Sequence, residues 1–129
     1  MTVATKALSL FCDTADITLG VDTADVSTFT NTWHQSISGL AQVTLTLQGS
    51  YDPTVTTGPA SVFTLQIPLN QAGTVTAVIF YPAGNNAGQG TSHTFNALVT
   101  NYQESPKTTT QVVFSATLLG TGVDTIAQL

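Results

Sequence analysis

Residues 91–119 read TSHTFNALVTNYQESPKTTTQVVFSATLL, and Gly120-Thr121-Gly122 follows. This stretch decides the fold class. From about 109 to 119, Val112, Phe114, Ala116 and Leu118 alternate with Val113, Ser115 and Thr117, and a strand sends successive side chains to opposite faces. The first set is expected inward and the second outward. A slip of one residue would exchange the faces, so the register is well specified. Residues 92–102 carry a second strand pattern, joined to the first through the turn signal Glu104-Ser105-Pro106-Lys107. Two long strands on either side of a turn predict antiparallel β structure.

Working outward, residues 74–82 form a strand that is apolar on both faces and is therefore expected to be central or covered. Ala83 to Gly90 is rich in Gly and Asn and reads as a loop. A further strand is expected at 41–51, where Val43, Leu45 and Leu47 alternate with Thr44, Thr46 and Gln48 before Asp52-Pro53 ends it. Residues 7–12 read as a first strand, 16–21 as a short one, 25–33 as an irregular polar stretch, and 120–129 as a tail or short edge strand. Between them, Gly58-Pro59 followed by Ala60, Phe63 and Ile67 at helical spacing predicts a short α-helix at about 59–67. The competing strand reading rests on Val62, Thr64 and Gln66. No linker or repeat divides the chain, so 1–129 is expected to be a single mostly β domain with one short flanking helix.

Composition supports the β reading. Threonine occurs 25 times, and β-branched side chains suit pleated, half-buried surfaces. The chain has two Lys, no Arg and one Glu, too few to cover the outer faces of soluble helices. Charged residues make up 7% of the chain, against roughly 25% in an ordinary soluble domain. A surface of hydroxyls and amides suits protein contact, because desolvating a hydroxyl costs far less than desolvating a charge.

The net charge of −5 argues against a protein that grips nucleic acid, which needs several cations at the phosphates. Only Lys6 and Lys107 are available. The chain starts without a charged segment leading into a long apolar run, so no secretory signal is expected. No apolar run approaches the ~18 residues of a membrane span. Synthesis and assembly in a cytoplasm are the expectation. Cys12 has no partner for an internal disulfide and is expected to be a small buried apolar group.

No constellation for catalysis stands out. His34 and His93 lie in no metal-ligand spacing, and no G-x-S-x-G nucleophile motif is present. No catalytic, cofactor-binding or metal-ligating residue is assigned, no cofactor is expected, and the protein is not expected to be an enzyme. Asp13, Asp16, Asp22 and Asp25 form an acidic cluster without the order of an EF-hand loop, and are expected to cap turns and strand starts. Phe29, Trp33 and His34 could form a sugar-binding platform, but a single Trp in a β fold is more often core or interface.

Three pieces of the sequence resemble, in order, the major tail (tail tube) proteins of long-tailed, non-contractile bacteriophages. They are Ala24-Asp25-Val26-Ser27-Thr28-Phe29, then Ile37-Ser38-Gly39-Leu40 leading into Val43–Asp52, and finally Tyr81-Pro82-Ala83-Gly84 with the hairpin quoted at the outset and its closing Gly120-Thr121-Gly122. The resemblance implies an antiparallel β-sandwich or barrel-like tail tube fold with one flanking helix. It also implies a virion structural protein that self-assembles into stacked, usually hexameric rings around a channel for DNA. Its partners would be other copies of itself, the tape measure, tail terminator and distal tail proteins, and DNA in transient, non-specific passage, with no membrane. The acidic residues, or some of them, are expected to line that channel. The Gly/Asn loop and the Asp-rich segment are expected to order on assembly, because both lack apolar anchors. Competing readings are a capsid decoration or other head or tail component, and then a glycan-binding β-sandwich.

Overall fold

The computed structural model of the chain describes residues 1–3, 6–30, 32–52, 58–59, 75–106 and 111–129. Seven strands run through them: β1 (Thr2–Val3), β2 (Lys6–Ala7), β3 (Cys12–Asp25), β4 (Ser36–Ser50), β5 (Val75–Phe80), β6 (Thr91–Ser105) and β7 (Val113–Gln128). They form one antiparallel sheet in the order β2-β1-β5-β6-β7-β4-β3. The fold is mostly antiparallel β, as the alternation predicts. The expected helix at 59–67 lies, apart from Pro59, outside the described residues.

The sheet has to curl. Laid flat, β2 and β3 at its two edges would stand about 29 Å apart, six spacings of ~4.8 Å. Yet Ala7 and Cys12 are joined by Leu8–Phe11, a path that spans about 18 Å at full stretch. The two edges are therefore drawn toward each other at this corner, and the sheet is curled rather than flat. Leu8 is fully buried there, and its carbonyl accepts from Phe11 N at 3.0 Å and Cys12 N at 3.1 Å. This corrects the expected strand at 7–12: the apolar run is a turn that plugs the corner. Leu10 faces outward, 89% exposed. Gly49 of β4 passes directly under the turn, where a Cβ would collide with the Phe11 carbonyl and the Cys12 backbone. A glycine is needed for that close approach.

One core fills the curl. Val3, Leu8, Val43, Leu45, Leu47, Val78, Phe80, Phe95, Ala97, Phe114, Ala116 and Leu118 are all buried. The predicted inward sets on β4 and β7 are thus in place, with Val112 half-buried at the start of β7. Registers such as Leu45↔Leu118 and Leu47↔Ala116 stack the two sets across the β4–β7 ladder.

Three further expectations are corrected. The Asp-rich segment is one continuous edge strand, β3, paired with β4 from Cys12↔Gly49 to Asp25↔Ser36; an ordered partner strand is already present within the chain. Residues 120–128 are not a tail but the continuation of β7 along β6. The strand survives Gly120-Thr121-Gly122 because three residues of β7 stand opposite one of β6 between Asn96↔Thr121 and Thr94↔Thr125. Gly122 takes φ of 89° in this bulge, a conformation open to glycine. The loop at 83–90 forms turns, and Gly88 N donates to the Leu129 carbonyl at 2.9 Å while Leu129 N donates to Gly90 at 3.2 Å.

Candidate functional site

The ladders define an opening in the sheet. β4 and β7 pair from Ser50↔Val113 to Thr44↔Leu119. Beyond that point they part: the Ser36–Val43 half of β4 stays with β3, and the 120–128 half of β7 stays with β6. Two ribbons therefore splay from a common base, and between them lies a groove of about 690 Å³. Leu19, Val21, Leu40 and Val43 line one wall, Val123, Asp124 and Ile126 the other.

The apolar lining follows from strand periodicity. Ala15, Ile17, Leu19 and Val21 occupy alternate positions on β3 and so share a face. Ala15 and Ile17 pack against the core. Leu19 and Val21 lie past the end of the core and are about half exposed. Ile37, Leu40, Val123 and Ile126 are exposed as well, so the inner face of the sheet runs on into solvent. A contiguous apolar surface of this kind marks a contact site. The alternation Ile17-Leu19-Val21 was the signal in the sequence; reading 16–21 as an isolated short strand hid its extension beyond the core.

The ribbon ends in a closed tip at 26–35. Val26 N donates to the Gln35 carbonyl at 2.8 Å, and Gln35 N donates to Ser27 Oγ at 2.8 Å. Asp25 caps the turn by accepting from both the hydroxyl and the amide of Ser27. These bonds, the hydroxyl first, hold its carboxyl below the ordinary value. His34 Nδ1 lies 3.4 Å from Asp25 Oδ2, so it braces the turn. Phe29 is fully exposed and Trp33 is 84% exposed, which places the only indole of the chain at the outermost point of the ribbon. Of the four clustered Asp residues, Asp25 caps as expected, while Asp13, Asp16 and Asp22 lie within β3 and face solvent.

His93 and Asp124 form a pair that sequence reading missed. Their side chains are 10% and 9% exposed, and His93 Nδ1 sits 2.7 Å from Asp124 Oδ2. With Asp124 ionised, Nδ1 carries the proton and donates. Asp124 Oδ1, the other carboxylate oxygen, is buried and has no hydrogen-bond partner. The two residues are 31 positions apart, and only the bulge in β7 brings Asp124 over His93.

The opposite face of the sheet is polar. The rows Thr14↔Gln48↔Ser115↔Gln103 and Asp16↔Thr46↔Thr117↔Asn101 cross four strands. Hydroxyls and amides cover this face, Asp16 adds a negative charge, and among the described residues no Lys lies on these strands. Among the described residues, no group of three or more His, Cys, Asp or Glu side chains is placed to hold a metal ion. Cys12 is half-buried at the corner rather than in the core, and burial pushes its thiol up to about 11.

The geometry thus defines a curled antiparallel sheet with one polar face, a projecting ribbon and an apolar groove. Neither a scan against protein families nor a search of curated proteins finds a match to the chain. Among solved structures, the fold is similar to that of a chain in the tail of an empty gene transfer agent particle refined with C6 symmetry. The TM-score is 0.69 at 13% identity, over 91% of this chain and 82% of that one. A chain in the virion of the native gene transfer agent particle is similar with a TM-score of 0.69 at 12% identity, over 91% and 85% of the two chains. The chain shares its fold with a chain of the tail in the one assembly and with a chain of the virion in the other.

Proposed function

We propose that this chain is a tail tube subunit: copies form rings, the rings stack, and DNA passes through the channel they enclose. The observation that carries the reading is the likeness, across 91% of the chain, to a chain of an assembled tail and to a chain of a virion. The symmetry of the first of those assemblies favours six copies per ring. The role is structural and not catalytic, the location is the virion tail, and the other tail components are its further partners.

Two features support the reading. The outer edge of β3 has no strand partner in the described sheet order, and an open edge is a template for pairing with another copy. Among the described residues, the polar face offers DNA hydroxyls, amides and the Asp16 carboxylate but no cation, so phosphates meet no site there that would release counterions and hold them. That face suits a channel wall that lets DNA slide.

Electron microscopy of the concentrated, purified protein tests the assembly. Tubes of uniform bore are expected, and persistent monomers or trimers would point to a decoration protein instead. Asp16→Lys tests the channel. Tubes should still form, while delivery of DNA by particles carrying the variant falls; unchanged delivery would remove Asp16 from the channel wall.

A further inference from the structure

We propose that the groove between the two ribbons receives the ribbon tip of a second copy of this chain, with the Trp33 indole inserted and its Nε1–H donating to Asp124 Oδ1. This rests on the tube reading for the existence of a contact between copies, and adds which surfaces meet and through which atoms.

The groove states what its occupant must be. Its walls are mostly apolar and built from Leu19, Val21, Leu40, Val43, Val123 and Ile126, so an apolar body is required. A volume of about 690 Å³ lies in the range that encloses a bulky group. The one charged residue in the lining is Asp124. Its side chain is nine-tenths buried against His93, and its second oxygen is buried without a donor; a donor in the groove reaches it through a rotation of the carboxylate. A buried acceptor left without a donor is costly, more so when it is charged. The occupant should therefore be apolar, carry one hydrogen-bond donor, and bring no acid.

The tip meets each condition. Residues 26–35 contain no Asp or Glu. Phe29 and Trp33 stand exposed there, and the indole is a flat apolar group with a single N–H donor and no acceptor. Phe29 supplies apolar area but no donor, which singles out Trp33 for the position at Asp124. Trp33 cannot fill its own groove. It lies in the tip beyond the start of β4, and the extended run from Ser36 to Leu40 alone sets it about 13 Å or more from Leu40, with the ribbon pointing outward.

A tip that enters the groove of the next copy makes a head-to-tail contact. Such a contact either closes into a ring or continues as an open stack, and both are the assemblies that a tube requires. The exposed apolar face of the ribbon and the exposed aromatics of the tip are then explained together.

The single Trp makes the test direct, because fluorescence excited beyond the absorption band of tyrosine reports on Trp33 alone. As concentration rises and assemblies appear by light scattering, Trp emission is expected to shift to shorter wavelength and acrylamide quenching to fall. Trp33→Phe, at an exposed site, is expected to keep the circular dichroism of the subunit. It should raise the concentration needed for assembly about tenfold, the loss of one hydrogen bond to a charged acceptor. In an Asp124→Asn background the same change should shrink to about threefold, since the two groups act as a pair. Assemblies that form while Trp33 stays solvent-exposed would overturn the insertion and leave the tube reading standing. Equal assembly by Trp33→Phe and the parent chain would overturn the hydrogen bond. Failure to assemble at any concentration would overturn both the insertion and the tube.

Discussion

Strand β4 is two structures in one. From Thr44 to Gly49 it is held on both sides, by β3 and by β7, and Leu45 and Leu47 are buried. From Ser36 to Gln42 it is held by β3 alone among the described strands, and Ile37 and Leu40 face solvent. The residue chemistry hardly changes along the strand; what changes is whether a second neighbour closes over it. Apolar side chains in the first half hold the subunit together, whereas those in the second half are free to hold subunits to each other.

Leucine-to-alanine changes in the two halves give the sharpest contrast. Leu45→Ala removes a fully buried side chain and is expected to destabilise the isolated subunit by about 3 kcal/mol, measured by urea unfolding. Gly122→Ala comes next. A Cβ there meets nothing within 4 Å, so the cost is the positive φ of the bulge, about 1 kcal/mol, read in the same way. Leu40→Ala, at 83% exposure, should alter subunit stability by less than about 0.5 kcal/mol and yet raise the concentration needed for assembly. A large loss of subunit stability at Leu40 would break the division of the strand into two roles.

A further effect, confined to high pH, is expected at the corner formed by Leu8–Phe11. Cys12 keeps its proton to about pH 11 in the folded chain, against an ordinary value of 9.0. Above pH 9 the unfolded chain gives up this proton and the folded chain does not, so stability should decline as pH rises from 9 to 11. Alkylation by iodoacetamide at pH 8 should be slow for the native subunit and fast in urea, because the thiolate is the reactive form.

Much of the core half was legible in the sequence, because alternation of Val43, Leu45, Leu47 and of Phe114, Ala116, Leu118 has one physical reading: a strand with one dry face. The splayed half was obscured for different reasons. Asp residues disfavour strands on average, yet on the edge strand β3 their carboxylates point into water and cost nothing. Gly120-Thr121-Gly122 looks like a terminator, but here it forms the bulge that lets β7 continue and turns Asp124 inward. The apolar run at 7–12 reads as a strand until the sheet order requires a corner there. The His93–Asp124 pair depends on the register of a bulged ladder, which local spacing does not encode.

The groove has one wall from the early part of the chain and one from the late part. Translation delivers the ribbon and its aromatic tip well before Val123, Asp124 and Ile126 leave the ribosome. An unfinished chain can therefore present a tip but has no receptor to offer. Under the proposed insertion, head-to-tail growth between nascent chains would be prevented by the order of synthesis itself, and polymerisation would wait until β7 has docked.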